Sequence, residues 1–562
     1  MNHANAPFDP VSLKIMWDRL VSLTDECLEA MVRASFSTTV RECYDLSVTV
    51  MDRQGYFMAQ GSQSIPSFTG STPASLKHML DRFPPETLVP GDVLCTNDPW
   101  MGTGHVFDLT VMRPVFRGDE IVAYTMSISH LPDIGGVGYG TAGSEIYQEG
   151  LRLPVCKLVE AGTVNETVLE LLRYNTRVPE QVIGDFMANV NCNQIAGREL
   201  LAYTGEYDLD QLDDLSWAIR DQSEQAMRTK IRALRDGVYE HSIKIEGFPD
   251  PITLACRIEI AGDSMHIDYA GTDASVPRGI NAPYCFTNSY SLYAVKCLVG
   301  LTTPNNQGVM APISVAAPEG SCLNTLPPSP TGARHLTGYF CMPLIFGTLA
   351  DAGSEQLQAD SGMLNVFNMQ GRHKDGRPVT ALYFSSGGFG ALDGHDGWPN
   401  TALPANVAIV PAEVWENVTG MEVVRKGLRP DTGGPGTARG GLGGETVLRN
   451  ATGYPMTVFG MECRTVFPPV GMLGGCPGEF RETRINGEPV VYRSSYRLEP
   501  GDVIELLECG GGGYGDPYDR DPAKVLEDVR HGFVTRDGAL RDYGVTVDLD
   551  SMAAERVRPA AE

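Results

Sequence analysis

The 562-residue chain is long enough for roughly three or four domains and a sizeable core. Its net charge of −26 excludes nucleic acid and an anionic membrane surface as partners, because either would be repelled by the average field. With 42% hydrophobic and 20% charged residues it reads as soluble and globular, and 62 Gly with 38 Pro favour a mixed or β-rich architecture over a helical one.

Thirteen scattered cysteines without a C-x-x-C pair read as reduced, packed thiols. The N-terminus has no basic and apolar leader, and no run of 18 apolar residues occurs anywhere, so the expected location is cytoplasmic. Along the chain, apolar residues at Leu13, Met16, Trp17, Leu20, Leu23, Leu28 and Met31 predict an amphipathic helix of about six turns, packed on the sheet that follows. That sheet opens with a hairpin, Asp45 to Met51, a turn at Asp52-Arg53-Gln54-Gly55, then Tyr56 to Ala59. A short helix is expected at Ser71 to Phe83, before Pro90-Gly91-Asp92 turns the chain into Val93-Leu94-Cys95-Thr96.

The stretch from Asn97 to Gly136 holds two H-x-x-D units, His105/Asp108 and His130/Asp133, 25 residues apart. Between them the pattern is strand, turn at Arg117-Gly118-Asp119, strand. An antiparallel pairing brings both units to one end of the sheet. Imidazole nitrogens with carboxylate oxygens suit a divalent metal, Zn, Mn or Fe, so the candidate catalytic set is His105, Asp108, His130 and Asp133. Spacing leaves open which aspartate coordinates; the other would orient an imidazole. The competing reading of each histidine is a hydrogen-bonded structural residue.

Helical periodicity follows from Glu180 to Leu201 and from about Leu209 to Leu234, the second helix charge-rich like a solvated connector or a surface for another subunit. From Ile252 to Phe384 the pattern is mixed, with a strand at His266 to Tyr269 and a helix near Ser289 to Leu301. Glycine then dominates, in Asp431 to Gly436, Arg439 to Gly444 and Gly510 to Gly515. These runs lack G-x-x-x-x-G-K-[S/T], so turns and close backbone approach are favoured and any nucleotide belongs on another chain. No G-x-S-x-G elbow supports a nucleophilic serine, and Glu413 with Glu416 fits a solvated helical face better than an acid/base pair.

The expected fold class is α+β, multidomain, with mixed and antiparallel sheets, flanking helices and a Gly-rich, β-rich C-terminal region. The expected segments are a metal-bearing α+β region (1–205), a helical connector (206–245), a middle α/β region (246–385), the Gly-rich region (386–520) and a tail (521–562).

At Asn97-Asp98-Pro99, Gly104-His105-x-x-Asp108 and His130-x-x-Asp133-Ile134-Gly135-Gly136 the chain resembles the hydantoinase B/oxoprolinase family. Supporting stretches are Arg41-Glu42-x-x-Asp45-x-Ser47, Glu145 to Arg152, Gly279 to Pro283, Ala317 to Ser321, Asp431 to Gly441 and the run ending Gly515-Asp516-Pro517. The resemblance implies metal ligands at His105, Asp108 and His130, with Asp45 fourth and Asp133 moved to an orienting role. It also implies a hydantoinase A-type ATPase subunit holding ATP and Mg, a small-molecule substrate, and a hetero-oligomer with two or more copies of each subunit. The activity implied is ATP-dependent opening of a hydantoin, 5-oxoproline or lactam ring. The alternatives are a ketone carboxylase subunit of the acetone/acetophenone type, or a non-catalytic subunit with a structural metal. Gly-His-Val-Phe-Asp stands where the family more often has Thr-His-Leu-Pro-Asp, a difference bearing on substrate choice.

Overall fold

A computed structural model describes residues 8–490, 493 and 495–557. The α+β, multidomain class expected from the sequence is the one adopted. The chain forms two compact units, Met1–His241 with Ala255–Met342, and Ser242–Leu254 with Pro343–Glu562.

The first unit is built on an antiparallel sheet whose spatial order is β2-β1-β5-β4-β3-β6-β7. Its strands are β1 (Leu46–Asp52), β2 (Phe57–Gln60), β3 (Val93–Thr96), β4 (Asp108–Arg117), β5 (Glu120–His130), β6 (Cys156–Glu160) and β7 (Thr163–Val164). Helix α1 (Pro10–Ala34) begins where Asp9 accepts from the Val11 and Ser12 N–H groups and Pro10 supplies a preset φ. It lies on one sheet face with α5 (Pro179–Glu206) and α6 (Asp213–Ile231). In the 206–245 stretch, Leu215, Ala218 and Ile219 of α6 are in this core, so its charge marks only the outer side of the helix. The other helices of the unit that matter here are α2 (Thr38–Arg41), α3 (Ser71–Arg82), α4 (Glu166–Asn175) and α7 (Tyr284–Leu298).

Residues of β5 alternate between the two faces. Ser127 and Ser129 bond Asn189 and Asn193 of α5. Met126, with Met112 of β4 and Leu76 and Met79 of α3, forms the core on the other side. Asp108 and His130 are direct cross-strand partners, and such pairs share a face. Both therefore emerge away from α5, at the end of the sheet where β1 also starts.

Besides the two-stranded sheet of Val545–Asp548 with Ala553–Arg556, the second unit has two larger sheets of its own among the described residues. One has the spatial order Pro378–Ser386, Leu364–Arg372, Met456–Gly460, Ser495–Leu498; the other has Glu422–Leu428, Gly444–Arg449, Val503–Leu507, Glu482–Ile485, Glu488–Pro489. The glycine runs lie backbone against backbone. Gly441 N donates to Phe389 O, Gly511 N to Gly441 O, and Gly434 N to Gly511 O. A Cβ on Gly440 would stand 2.0 Å from Gly511 O, and one on Gly441 2.0 Å from Trp398 O. Only residues without a side chain permit that approach. Glu413 and Glu416 are exposed on the helix Ala412–Thr419, whose Trp415 is buried.

Among the described residues no helix is long and apolar enough to cross a membrane. The thirteen cysteines are all free.

Candidate metal centre

The site lies wholly in the first unit. His105 sits just before β4, on a turn where Gly104 has φ +102°, and a Cβ there would lie 2.7 Å from Arg334 Cδ. Asp108 opens β4, His130 closes β5, and Asp45 immediately precedes β1, its carbonyl accepting the His130 N–H at 3.1 Å. One donor atom each from His105, Asp108 and His130 fall within 4.8 Å of one another, and all three residues are buried. Asp45 stands farther off, its Oδ2 4.0 Å from His130 Nδ1.

The hydrogen bonds define what each ligand atom can do. His105 Nδ1 is 3.0 Å from the Gly332 carbonyl, which can only accept, so Nδ1 carries the proton and Nε2 keeps a lone pair. Nε2 is 2.8 Å from Asp108 Oδ1 but out of line for a hydrogen bond, and is left as a buried nitrogen without a partner. Burial, with the Arg334 charge, pushes the His105 imidazolium down to about 4, so the ring is neutral near pH 7. A neutral nitrogen lone pair and a carboxylate oxygen held 2.8 Å apart repel each other unless a cation lies between them. His130 adds Nδ1, 3.1 Å from the same Oδ1, and its Nε2 is a second buried nitrogen without a partner. The N, N, O set fits Zn, Mn or Fe.

Asp108 is held from behind. Arg334 Nη2 donates to Oδ2 at 2.7 Å, Thr103 Oγ1 donates to the same oxygen, and Arg334 Nε donates to the Thr103 carbonyl at 2.7 Å. Burial opposes ionisation of Asp108, but its charged and hydrogen-bonding neighbours, Arg334 among them, outweigh it and hold the carboxyl well below the usual range. Burial and the nearby Asp108 charge push Asp45 up to about 6, opposed by His130.

Arg334 and Gly332 belong to a loop anchored by Glu149, whose Oε1 accepts from Thr331 N at 2.9 Å and Gly332 N at 2.7 Å. Phe107 and Tyr139 wall the site, with ring centroids 6.0 and 5.0 Å from that of His130. The Tyr139 hydroxyl is 3.3 Å from His335 Nδ1.

Asp133 is engaged elsewhere. Its Oδ1 accepts from Arg177 Nη1 at 2.7 Å and from Gly135 N at 3.1 Å, and its Oδ2 accepts from the Arg177 backbone N–H. It ties the loop after β5 to the entry of α5. The second H-x-x-D unit therefore contributes its histidine to the cluster, while its aspartate bonds to an arginine instead of an imidazole. Arg334, Thr103, Gly332, Glu149 and Tyr139 escaped the sequence reading. Thr103 and Glu149 lay in stretches singled out there, and nothing in the spacing gave either a role.

The family model described as hydantoinase B/oxoprolinase matches residues 9–517. The caprolactamase subunit beta of Pseudomonas jessenii is 30% identical, over 98% of this chain and 99% of that one. The crystal structure of the ATP-dependent caprolactamase from Pseudomonas jessenii superposes with a TM-score of 0.88 at 26% identity, covering 97% of each chain. The nucleotide-free structure of an acetone carboxylase matches at TM-score 0.86 over 98% of this chain and 81% of that one, and at 17% identity it shares the fold. The chain belongs to the hydantoinase B/oxoprolinase family.

Proposed function

We propose that this chain is the metal-bearing subunit of an ATP-dependent cyclic amide hydrolase, opening a hydantoin, 5-oxoproline or lactam ring with an A-type ATPase subunit that holds ATP and Mg. The observation that carries the reading is the confrontation of His105 Nε2 and Asp108 Oδ1, two buried lone-pair atoms 2.8 Å apart with no hydrogen bond between them. His105, Asp108 and His130 would hold the metal, with Asp45 the nearest further carboxylate. A divalent ion there supplies Lewis acidity towards an amide carbonyl or an attacking water.

The remaining residues have definable parts. Gly332 keeps the His105 proton on Nδ1. Arg334 and Thr103 occupy Asp108 Oδ2 so that Oδ1 faces the imidazoles. Phe107 and Tyr139 limit water access, and burial keeps the Tyr139 phenol protonated. The partner is supported by the relative's own description as a subunit beta, and by the absence of a phosphate loop from this sequence.

The test is metal analysis and ring-opening assays on the co-purified complex. About one Zn, Mn or Fe per chain is expected, with ATP-dependent opening of one of the three ring types, and His130→Ala should lose both. Full metal and turnover in that variant would sink the site. A His105→Ala complex that keeps turnover but melts earlier would mark the metal as structural. Label from bicarbonate in a keto acid product would replace hydrolysis with carboxylation.

A further inference from the structure

Helix α7 serves two places. Phe286 and Tyr290 turn towards the metal centre, Phe286 lying under the Arg334 guanidinium at 4.4 Å and against Tyr290 at 4.4 Å. Asn288 and Leu292, two residues further on and so about 200° around the helix, line a separate cavity of about 520 Å³. The rest of its wall comes from Tyr56, from Gly70 and the start of α3, from α6 and from residues 307–313. Such a volume suits a small-molecule ligand.

Arg220 of α6 is the only cation among the residues that line it. Its guanidinium stacks 3.8 Å from the Tyr56 ring centroid, and Nε donates to Ser216 Oγ at 3.3 Å. Glu224, one turn along, pairs with Arg228 at 2.7 Å and also attracts Arg220. Asp52 attracts Arg220, but its carboxylate is bonded to Ser216 Oγ and to the Gln54 and Tyr56 N–H groups. The guanidinium is thus fixed at its face and its Nε, while Nη1 and Nη2 donate no hydrogen bond to the described residues. A second donor stands beside it. Gln307 Oε1 accepts the Phe57 N–H at 3.2 Å, which leaves the amide NH2 as the end with hydrogens to offer.

We propose that this cavity is a binding site for a small organic monocarboxylate, its oxygens held by Arg220 Nη1 and Nη2 with help from Gln307, and its apolar body resting on Leu292, Met310 and Ile313. The planar fork matches a carboxylate in two parallel hydrogen bonds. A single cation with Glu224 on the same wall favours a monoanion over a phosphate dianion, which the wall carboxylate repels more strongly. The site is distinct from the metal centre, from which α7 separates it.

The test titrates the full-length chain with benzoate, benzamide and phenylphosphonate, read by calorimetry and by saturation-transfer NMR. Benzoate should bind at least tenfold more tightly than neutral benzamide, and more tightly than phenylphosphonate. Arg220→Gln should weaken benzoate at least tenfold. Arg220→Lys, which keeps the charge and loses the fork, should fall between, and it carries the test if the glutamine variant does not fold. The double variant His105→Ala/His130→Ala should bind benzoate as the unaltered chain does. Failure of benzoate to bind, unchanged affinity in the Arg220 variants, or loss of binding in the double histidine variant would overturn the assignment. Tighter binding of phenylphosphonate would overturn the carboxylate.

Discussion

Replacing Glu149 with glutamine should remove a pH dependence built into the first unit. The carboxyl is 2% exposed, and burial pushes it from the usual 4.5 up to about 7, although the Gly332 and Thr331 N–H groups work in the opposite direction. A folded value above the ordinary one means that folding favours the protonated form. The stabilisation is therefore complete below pH 4.5 and is lost as pH rises through about 7. The displacement corresponds to roughly 3 kcal/mol in all, of which about 2.5 kcal/mol falls between pH 5 and pH 8. Glutamine keeps an oxygen for the two N–H groups and cannot ionise. Urea midpoints followed by tryptophan fluorescence at pH 5, 6, 7 and 8 give the stability of variant and parent at each pH. Relative to the parent, the variant should gain steadily across this range, and subtraction cancels every other titrating group. A difference that stays constant from pH 5 to 8, or one that slopes the other way, would refute the reasoning.

Other substitutions separate roles that the sequence alone merges. Arg334→Met should leave the chain folded but lower divalent metal affinity roughly 10- to 100-fold, because Asp108 Oδ2 keeps only Thr103; competition with a chromophoric chelator measures it. Asp133→Asn should cost about 1–3 kcal/mol by weakening the bonds to Arg177, with metal content unchanged by elemental analysis. Gly440→Ala should prevent soluble accumulation or lower the melting temperature sharply, whereas Gly427→Ala, with no atom within 4 Å of its Cβ, should stay within about 0.5 kcal/mol of the parent.

Periodicity found the long elements. The helix expected from Leu13 to Met31 is Pro10–Ala34, and the strand-turn-strand read between the two H-x-x-D units is the β4–β5 hairpin. Both depend on local pattern. His105, Asp108 and His130 were legible because a hairpin returns the chain to its own start, which sequence spacing can express. Arg334 was not, since it reaches Asp108 from 226 residues away and nothing local marks an arginine that will be buried. Asp133 repeats the spacing of Asp108 relative to its histidine without repeating its surroundings. β5 ends at His130, and Gly135 and Gly136 at positive φ turn the following loop towards Arg177. The same three-residue interval therefore carries one aspartate to the candidate metal centre and the other to a helix entrance. The division into two units was likewise invisible to composition, because each unit is assembled from stretches far apart in the chain.

The β4–β5 pairing also bears on how this family can change. Asp108 stays opposite His130 if residues are added to both arms of the hairpin in equal number, and slides out of register if only one arm grows. The interval between the two histidines should therefore drift among relatives in even steps. An odd step should appear only where the irregularity at Val115/Phe116, or the turn at Gly118, has been gained or lost. A hairpin can thus lengthen or shorten over evolutionary time while its chemistry stays in place, provided that insertions arrive in pairs.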